Sequence, residues 1–444
     1  MLPVIFALAW PTMLEQAMST AVQYVDAAMV GRLGAAATAA VGVTTTINWM
    51  IGSTVSALGV GFLSFIARAY GADDRQRAAR TSGQAVLAAL LSGLVFTALP
   101  LALFRKVPVW MQADPAIQDT AAWYFFILYT PMLPRAAGII FGTALRAAGD
   151  TKTPMRVGIL MNAINVTLNY LLIYPTHRVW GLTVPGAGLG VIGAAIASAV
   201  SYAVGGIGIT VALWRHPVIS PKGQKLRPDW EILKPCLRVA LPSTLQRFGT
   251  SFGYVAFAAM INALGTVSLA AHSIANTVES AFYIPGYGMM TAAATLAGNA
   301  LGAKDKARMR DLAQMLLILE VGMMAVSGAL LFAFAPVMMG LFTADAAVTA
   351  LGAAVLRMVA VSEPFYGVAI ILEGMLQGVG DTVTPFVFNI LGMWGVRILG
   401  TFLCTRLMGL GLTAAWGCMI AHNMLLFLLL SLHYRRGKWN PLQR

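Results

Sequence analysis

Apolar runs of about twenty residues or more recur along the chain between short polar connections, each long enough to carry a helix across the roughly 30 Å hydrocarbon core of a bilayer. Twelve such runs centre near residues 20, 50, 92, 133, 165, 200, 250, 283, 323, 364, 396 and 422. The pattern predicts an all-α integral membrane protein of twelve transmembrane helices. Two of the runs carry polar residues at helical spacing. In the first, Gln16, Ser19, Gln23 and Asp26 lie three, four and three residues apart and share one face. In the fifth, Asn162, Asn165 and Asn169 make a second stripe, at spacings of three and four. Such stripes must face protein or water, because a polar group in hydrocarbon is costly.

Register along the chain reveals an internal repeat. PTMLEQ at Pro11 matches PSTLQR at Pro242, AAMVGRLG at Ala27 matches AAMINALG at Ala258, and GADDRQRAAR at Gly71 matches GAKDKARMR at Gly302. LRAAGDTKTP at Leu145 still matches LQGVGDTVTP at Leu376, so one offset of 231 residues persists throughout. The repeat predicts a six-helix lobe over residues 1–216, a polar cytoplasmic connector over 217–234 and a second six-helix lobe over 235–444. An even number of spans per half makes the repeat parallel, and a cleft between such halves is a common transporter site. The register also exposes an asymmetry: Asp26 projects onto Phe257, and Asn165 and Asn169 project onto Val396 and Gly400.

Composition narrows the function class. Of 444 residues, 58% are apolar and only 11% charged, against about a quarter charged in soluble domains. The start, MLPVIFALAW, lacks a basic n-region and a small-residue cleavage pattern and is not expected to be a removable signal. The net charge of +13 is scattered over connections rather than gathered in one basic stretch, which argues against a nucleic-acid partner. Most Lys and Arg fall in alternate loops and in the tail HYRRGKWNPLQR. By the positive-inside bias, that places both termini in the cytoplasm and the chain in the inner (plasma) membrane. Three cysteines without CxxC spacing imply no disulfide framework or thiolate metal site. No HExxH, GxSxG or P-loop appears, so neither an enzyme nor a cofactor is expected. GLGVIG at Gly188 fits a dinucleotide fingerprint only formally, since it opens a membrane helix and suits close helix packing.

Six of the seventeen acidic residues fall within spans: Glu15, Asp26, Glu279, Glu320, Glu363 and Glu373. A charge at the bilayer centre costs about 2.5–3.5 kcal/mol on insertion scales, so each is a functional candidate unless a structural partner satisfies it. Prolines 11, 131, 134, 242, 285 and 364 lie inside spans and predict bends. The GDT loops at Gly149 and Gly380 predict turns whose Asp or Thr caps the next helix.

The chain resembles the multidrug and toxic compound extrusion (MATE) family over nearly its whole length. The motifs that carry the resemblance are Pro11 and Asp26 in the first span, the GAxD loops at Gly71 and Gly302, LRAAGDTKTP, NVTLNY at Asn165, GAAIAS at Gly193 and LGTVSLAAHSIA at Leu264. The resemblance implies a monomeric antiporter that exports small amphipathic, often cationic organic compounds in exchange for H+ or Na+. It also implies a coupling-cation site at Asp26, Asn165, Asn169 and Ser198, with Na+ able to bind Asp26, Asn165 and Asn169. Gln16, Ser19, Gln23, Asn162, Arg247, Glu279, Glu363 and Tyr366 are candidates to touch substrate. NorM-like members carry acids in the seventh and tenth spans where this chain has Thr250 or Ser251 and Tyr366, which turns the expectation toward H+, alone or with Na+. Glu279, Glu363 and Glu373 would attract a cationic substrate or pair with Arg247 or Arg357, with the weight for Glu373, near the cytoplasmic end, on a structural role, and Glu320 reads as structural. The alternative is a flippase for lipid-linked precursors; it calls for a groove rich in basic residues, for which only Arg135, Arg247, Arg357 and Arg397 qualify.

Overall fold

The computed structural model describes residues 2–179, 182–437 and 439–443. Helices dominate: α1 (Leu2–Gly31), α2 (Ala35–Gly71), α3 (Arg75–Leu103), α4 (Lys106–Trp110), α5 (Pro115–Tyr129), α6 (Met132–Ala147), α7 (Lys152–Ile173), α8 (Gly190–Arg215), α9 (Trp230–Asn262), α10 (Thr266–Gly302), α11 (Lys306–Gly340) and α12 (Ala346–Val379). The stretch Val383–Leu407 is mixed, with α13 (Val383–Ile390) and α14 (Leu399–Phe402) each followed by a π-helical segment, Leu391–Ile398 and Leu403–Leu407. The last long helix is α15 (Leu412–Arg435), and an antiparallel hairpin of β1 (Pro175–Val179) and β2 (Leu182–Ala187) joins α7 to α8.

Eight helices among the described residues are long and apolar enough to cross a membrane, and α5 with α6, bent by 52° at Thr130 and Pro131, makes a ninth as one broken span. The bend falls where Pro131 and Pro134 withdraw two backbone donors. Helices α1, α9 and α10 are also long, at 30, 33 and 37 residues. Their polar residues, among them the Asp26 stripe and Glu279, hold them below the same hydropathy. A count by hydropathy therefore parts from the twelve apolar runs at the helices that carry candidate chemistry.

Contacts divide the chain into two compact units, one of Ala17–Ile66 and Asp74–Leu237, the other of Met1–Gln16, Ala67–Asp73 and Arg238–Arg444. Because α1 and α2 run well beyond the length a bilayer needs, each contributes to both units. In the first unit the connector is tied down by side chains. Gln84 Nε2 donates to the Arg227 carbonyl and Gln84 Oε1 accepts from the Asp229 N–H, each at 2.9 Å. Arg80 pairs with Asp229 at 2.6 Å. Small residues set the helix crossings. A Cβ at Gly193 would sit 2.5 Å from the Leu172 carbonyl oxygen, which accounts for GLGVIG as packing of α8 on α7.

The second unit buries two apolar clusters. One gathers Ile5, Leu8 and Ala9 of α1 with Ala292, Leu316, Ile371 and Leu426. The other surrounds Phe257, Ile261, Leu331, Val355 and Trp416.

The repeat extends to turn chemistry. Asp74 accepts from the Arg77 N–H at 2.9 Å to cap α3, and its repeat mate Asp305 accepts from the Arg308 N–H at 2.8 Å to cap α11. In the GDT loops, Gly149 and Gly380 take the left-handed conformation at φ 84° and 83°, which glycine adopts without steric cost. Asp150 and Asp381 then accept from the N–H groups of Thr153 and Thr384 at 3.0 and 3.1 Å, so the aspartate is the cap. Removing an N-cap oxygen costs about 1 kcal/mol. Asp74→Ala and Asp305→Ala are accordingly expected to lower the unfolding midpoint in detergent by similar small amounts, and clearly unequal shifts would show that the two caps are not equivalent.

Candidate functional site

The first unit brings the two polar stripes together. Asp26 is half-buried on α1, and Asn162, Asn165 and Asn169 are buried on α7. Asn169 Nδ2 donates to Asp26 Oδ1 at 2.6 Å and to Asn165 Oδ1 at 3.1 Å. The Asn165 amide lies between Ser198 Oγ on α8, at 3.3 Å, and the two Asp26 oxygens, and with its nitrogen turned to Asp26 it stands 2.8 and 3.1 Å from them. The four residues expected to form a cation site thus converge from three helices. Val30, Ile173 and Ala194 form a small apolar cluster on those same helices. The Tyr174 hydroxyl donates to the Met29 carbonyl at 2.9 Å and holds α1 against the end of α7.

The donor set can be tested against a cation. Asn169 is 1% exposed and its Oδ1 has no hydrogen-bond partner. A buried carbonyl oxygen left without a donor, beside a carboxylate, suits a hard cation or a protonated acid. Among the described residues no cluster of three or more His, Cys, Asp or Glu occurs, so this site offers one negative charge surrounded by neutral oxygens and amides. That fits a proton or a monovalent ion better than a divalent one.

Of the remaining stripe, Gln16 and Gln23 are exposed and Ser19 is half-buried, while Asp26 is bonded to α7. The same unit holds a neighbouring network that spacing did not predict. Arg135 Nη1 donates to Asn48 Oδ1 at 2.8 Å, the Tyr129 hydroxyl reaches the same oxygen at 3.3 Å, and the guanidinium lies 4.3 Å from the Tyr202 ring centroid. An arginine one residue after Pro134, inside an apolar run, is the signal in the sequence that points to it.

Among the described residues, neither Glu279 nor Glu363 forms an ion pair with Arg247 or Arg357. Arg357 is directed instead to the Phe332 carbonyl at 3.4 Å and the face of its ring, and Arg247 is half-buried on α9. Glu279 and Glu363 are 5% and 1% exposed. Both oxygens of Glu320 and of Glu363 lack hydrogen-bond partners. Glu373, by contrast, accepts from Gln246 at 2.8 Å and from Gln377 and Asn389 at 3.3 Å. The Tyr366 hydroxyl meets that of Tyr287 at 3.0 Å, and its ring stands edge-on to Tyr283.

Known proteins share this organisation. The family model MatE matches the chain twice, over residues 11–171 and 242–403, and the two matches begin at the offset of the internal repeat. A probable multidrug resistance protein NorM of Thermotoga maritima is 26% identical over 97% of this chain and 92% of its own length. A probable multidrug resistance protein NorM of Bradyrhizobium diazoefficiens is 26% identical over 92% of this chain and 88% of its own. Among solved structures, an outward-facing multidrug resistance MATE family transporter of the MOP superfamily covers 99% of this chain and 96% of that one, with TM-score 0.91 at 24% identity. A MOP superfamily transporter from Pyrococcus furiosus covers the same shares with TM-score 0.90 at 24% identity. These structures share the predominantly helical fold of this chain.

Proposed function

The chain belongs to the MatE family of multi-pass membrane transporters, and on that premise we propose that it is a cation-coupled antiporter exporting small amphipathic, often cationic organic compounds, with Asp26 as the coupling group. The observation that carries the coupling role is the 2.6 Å bond from Asn169 to Asp26, in a site with one carboxylate and an unpartnered amide oxygen. Asp26 and Asn169 would hold the ion, with Asn165 and Ser198 completing the oxygen set; the ion supplies positive charge that cancels Asp26. When the carboxylate is free, it accepts from Asn169 and draws α1 to α7. When a proton or Na+ neutralises it, that hydrogen bond weakens.

Export follows if the cation and the organic substrate favour different conformations. Each then shifts the equilibrium only by its difference in affinity for the two states. We place both termini in the cytoplasm, as the Lys and Arg bias implies, and take the working form as a monomer. A flippase is not supported, since the relatives from Thermotoga maritima and Bradyrhizobium diazoefficiens are probable multidrug resistance proteins and Arg357 and Arg397 turn to aromatic faces.

The test is purified protein in liposomes loaded with a fluorescent cationic dye, with proton and Na+ gradients imposed separately. Dye movement driven by either gradient supports antiport, and movement that ignores both removes it. The bond lengths also rank the ligands. Asn169→Ala is expected to weaken gradient-driven exchange several-fold, and Ser198→Ala, which removes only a 3.3 Å contact, by less than about twofold, since a weak neutral hydrogen bond contributes on the order of 0.5 kcal/mol. Equal losses would show that the hydroxyl matters as much as the amide.

A further inference from the structure

The repeat places Tyr254 where the first half has Gln23, and Phe257 where it has Asp26. Those two rings clasp a guanidinium: Arg397 Cζ lies 4.2 Å from the Phe257 ring centroid and 4.8 Å from that of Tyr254. Arg397 itself stands at the repeat position of Val166, between the counterparts of Asn165 and Asn169. A positive charge therefore sits, in the second unit, against the residues that replace the polar stripe of α1. It is 3% exposed, its Nε has no hydrogen-bond partner, and no carboxylate among the described residues lies within ion-pair distance.

Local backbone and packing single the position out. Arg397 lies in the π-helical segment Leu391–Ile398, whereas its repeat mate lies in the regular α7. π-Helical turns are rare and concentrate at functional sites. Phe257 is buttressed in turn by His272, edge-on at 5.6 Å, which accepts from the Trp416 N–H at 3.2 Å. Glu279, 5% exposed, occupies the repeat position of Asn48, the partner of Arg135. A buried, unpaired guanidinium is costly unless something favours it; the two aromatic faces provide that attraction.

We propose that Arg397 is a tethered cation that permanently fills, in the second half, the place an exchangeable cation takes beside Asp26 in the first, so that the second half needs no ion of its own. The proposal rests on the coupling role given to Asp26, and it makes the two halves chemically unequal: one exchanges its cation during the cycle and the other carries it covalently. The clasp formed by Tyr254 and Phe257 is thereby a site for a planar guanidinium, closed in the native chain by its own side chain.

A guanidinium supplied from solution tests the clasp. In purified Arg397→Ala protein, methylguanidinium at millimolar concentration is expected to raise the unfolding midpoint in a concentration-dependent way. The same additive leaves wild type unmoved, and tetramethylammonium, which cannot lie flat between two rings, moves neither. Arg397→Lys should keep gradient-driven exchange within a few-fold of wild type. An Arg397→Ala protein that unfolds like wild type and ignores methylguanidinium, or a shift equal in both proteins, overturns the proposal. Should Arg397→Ala fail to fold, Asp26→Asn decides: loss of every H+ and Na+ response in that variant supports the proposal, a reduced but surviving response means a second exchangeable ion and ends it, and a response at the wild-type rate removes the coupling role of Asp26 and the proposal that rests on it. If wild-type transport ignores both gradients, the coupling reading of Asp26 falls, while the methylguanidinium shift still reports on the clasp.

Discussion

Asp26→Asn is expected to abolish gradient-driven export. Cells producing the variant should retain a fluorescent cationic dye as fully as cells without the protein, and exchange in liposomes should fall at least about tenfold, within the roughly 5–150-fold range of typical coupling energies. The substitution keeps the size of the side chain and its capacity to bond Asn169, but removes the only negative charge among the four residues that converge there. With no charge to neutralise, a proton or Na+ no longer distinguishes the two conformations. Asp26→Glu keeps the charge but moves it by one methylene, which the 2.6 Å bond to Asn169 tolerates poorly; an intermediate loss is expected. Export at wild-type rate by Asp26→Asn would sink the coupling role, provided immunoblotting shows equal amounts of the two proteins in the membrane.

The second large effect is on folding. Gly206 brings α8 against the carbonyl of Pro134 so closely that any Cβ would overlap it, and the Cβ of a residue at Gly138 would lie 3.3 Å from the Gly206 Cα. Two helix backbones meet there through glycines, at the first turn after the 52° bend. The obstructing atom is backbone, so no side chain can swing away. Gly206→Val therefore must push α8 off α6, at a cost of about 3 kcal/mol for forced overpacking, a large fraction of ordinary stability. The expected result is a sharp fall in monodisperse protein on size exclusion and a lower unfolding midpoint. Gly417→Val is the control, since a Cβ there meets nothing within 4 Å. Equal behaviour of the two variants would mean that the α6–α8 contact yields readily.

Much of the candidate site is legible in the order of residues alone. The spacing of Gln16, Ser19, Gln23 and Asp26 shows a polar face, and the offset to Phe257 shows that the helix does not need the acid. The paired caps at Asp74 and Asp305 and the glycines of the GDT loops follow from local turn chemistry, which depends on a few consecutive residues. Other features are not visible there. Nothing in the chain's pattern tells that Asn48 meets Arg135, that Glu373 collects three amides, or that Arg357 turns to Phe332 rather than to a glutamate. Those choices depend on how far each helix is rotated and shifted against its neighbours, a quantity that hydropathy does not contain.

By itself the sequence determined that the protein is helical and membrane-spanning, that it is built from one pattern used twice, and that only one copy carries Asp26 with the asparagine face. Periodicity and repeat register are properties of the chain alone, so they survive without coordinates. The tertiary structure decided which polar groups touch. It brought Asn169 within 2.6 Å of Asp26 and left the Glu320 and Glu363 carboxylates unpartnered. It also closed Tyr254 and Phe257 around Arg397. A hydrogen bond or a cation–π contact forms or fails over an ångström or two, and distances on that scale are set by the packing of whole helices, with small residues such as Gly193 and Gly206 determining how closely they approach.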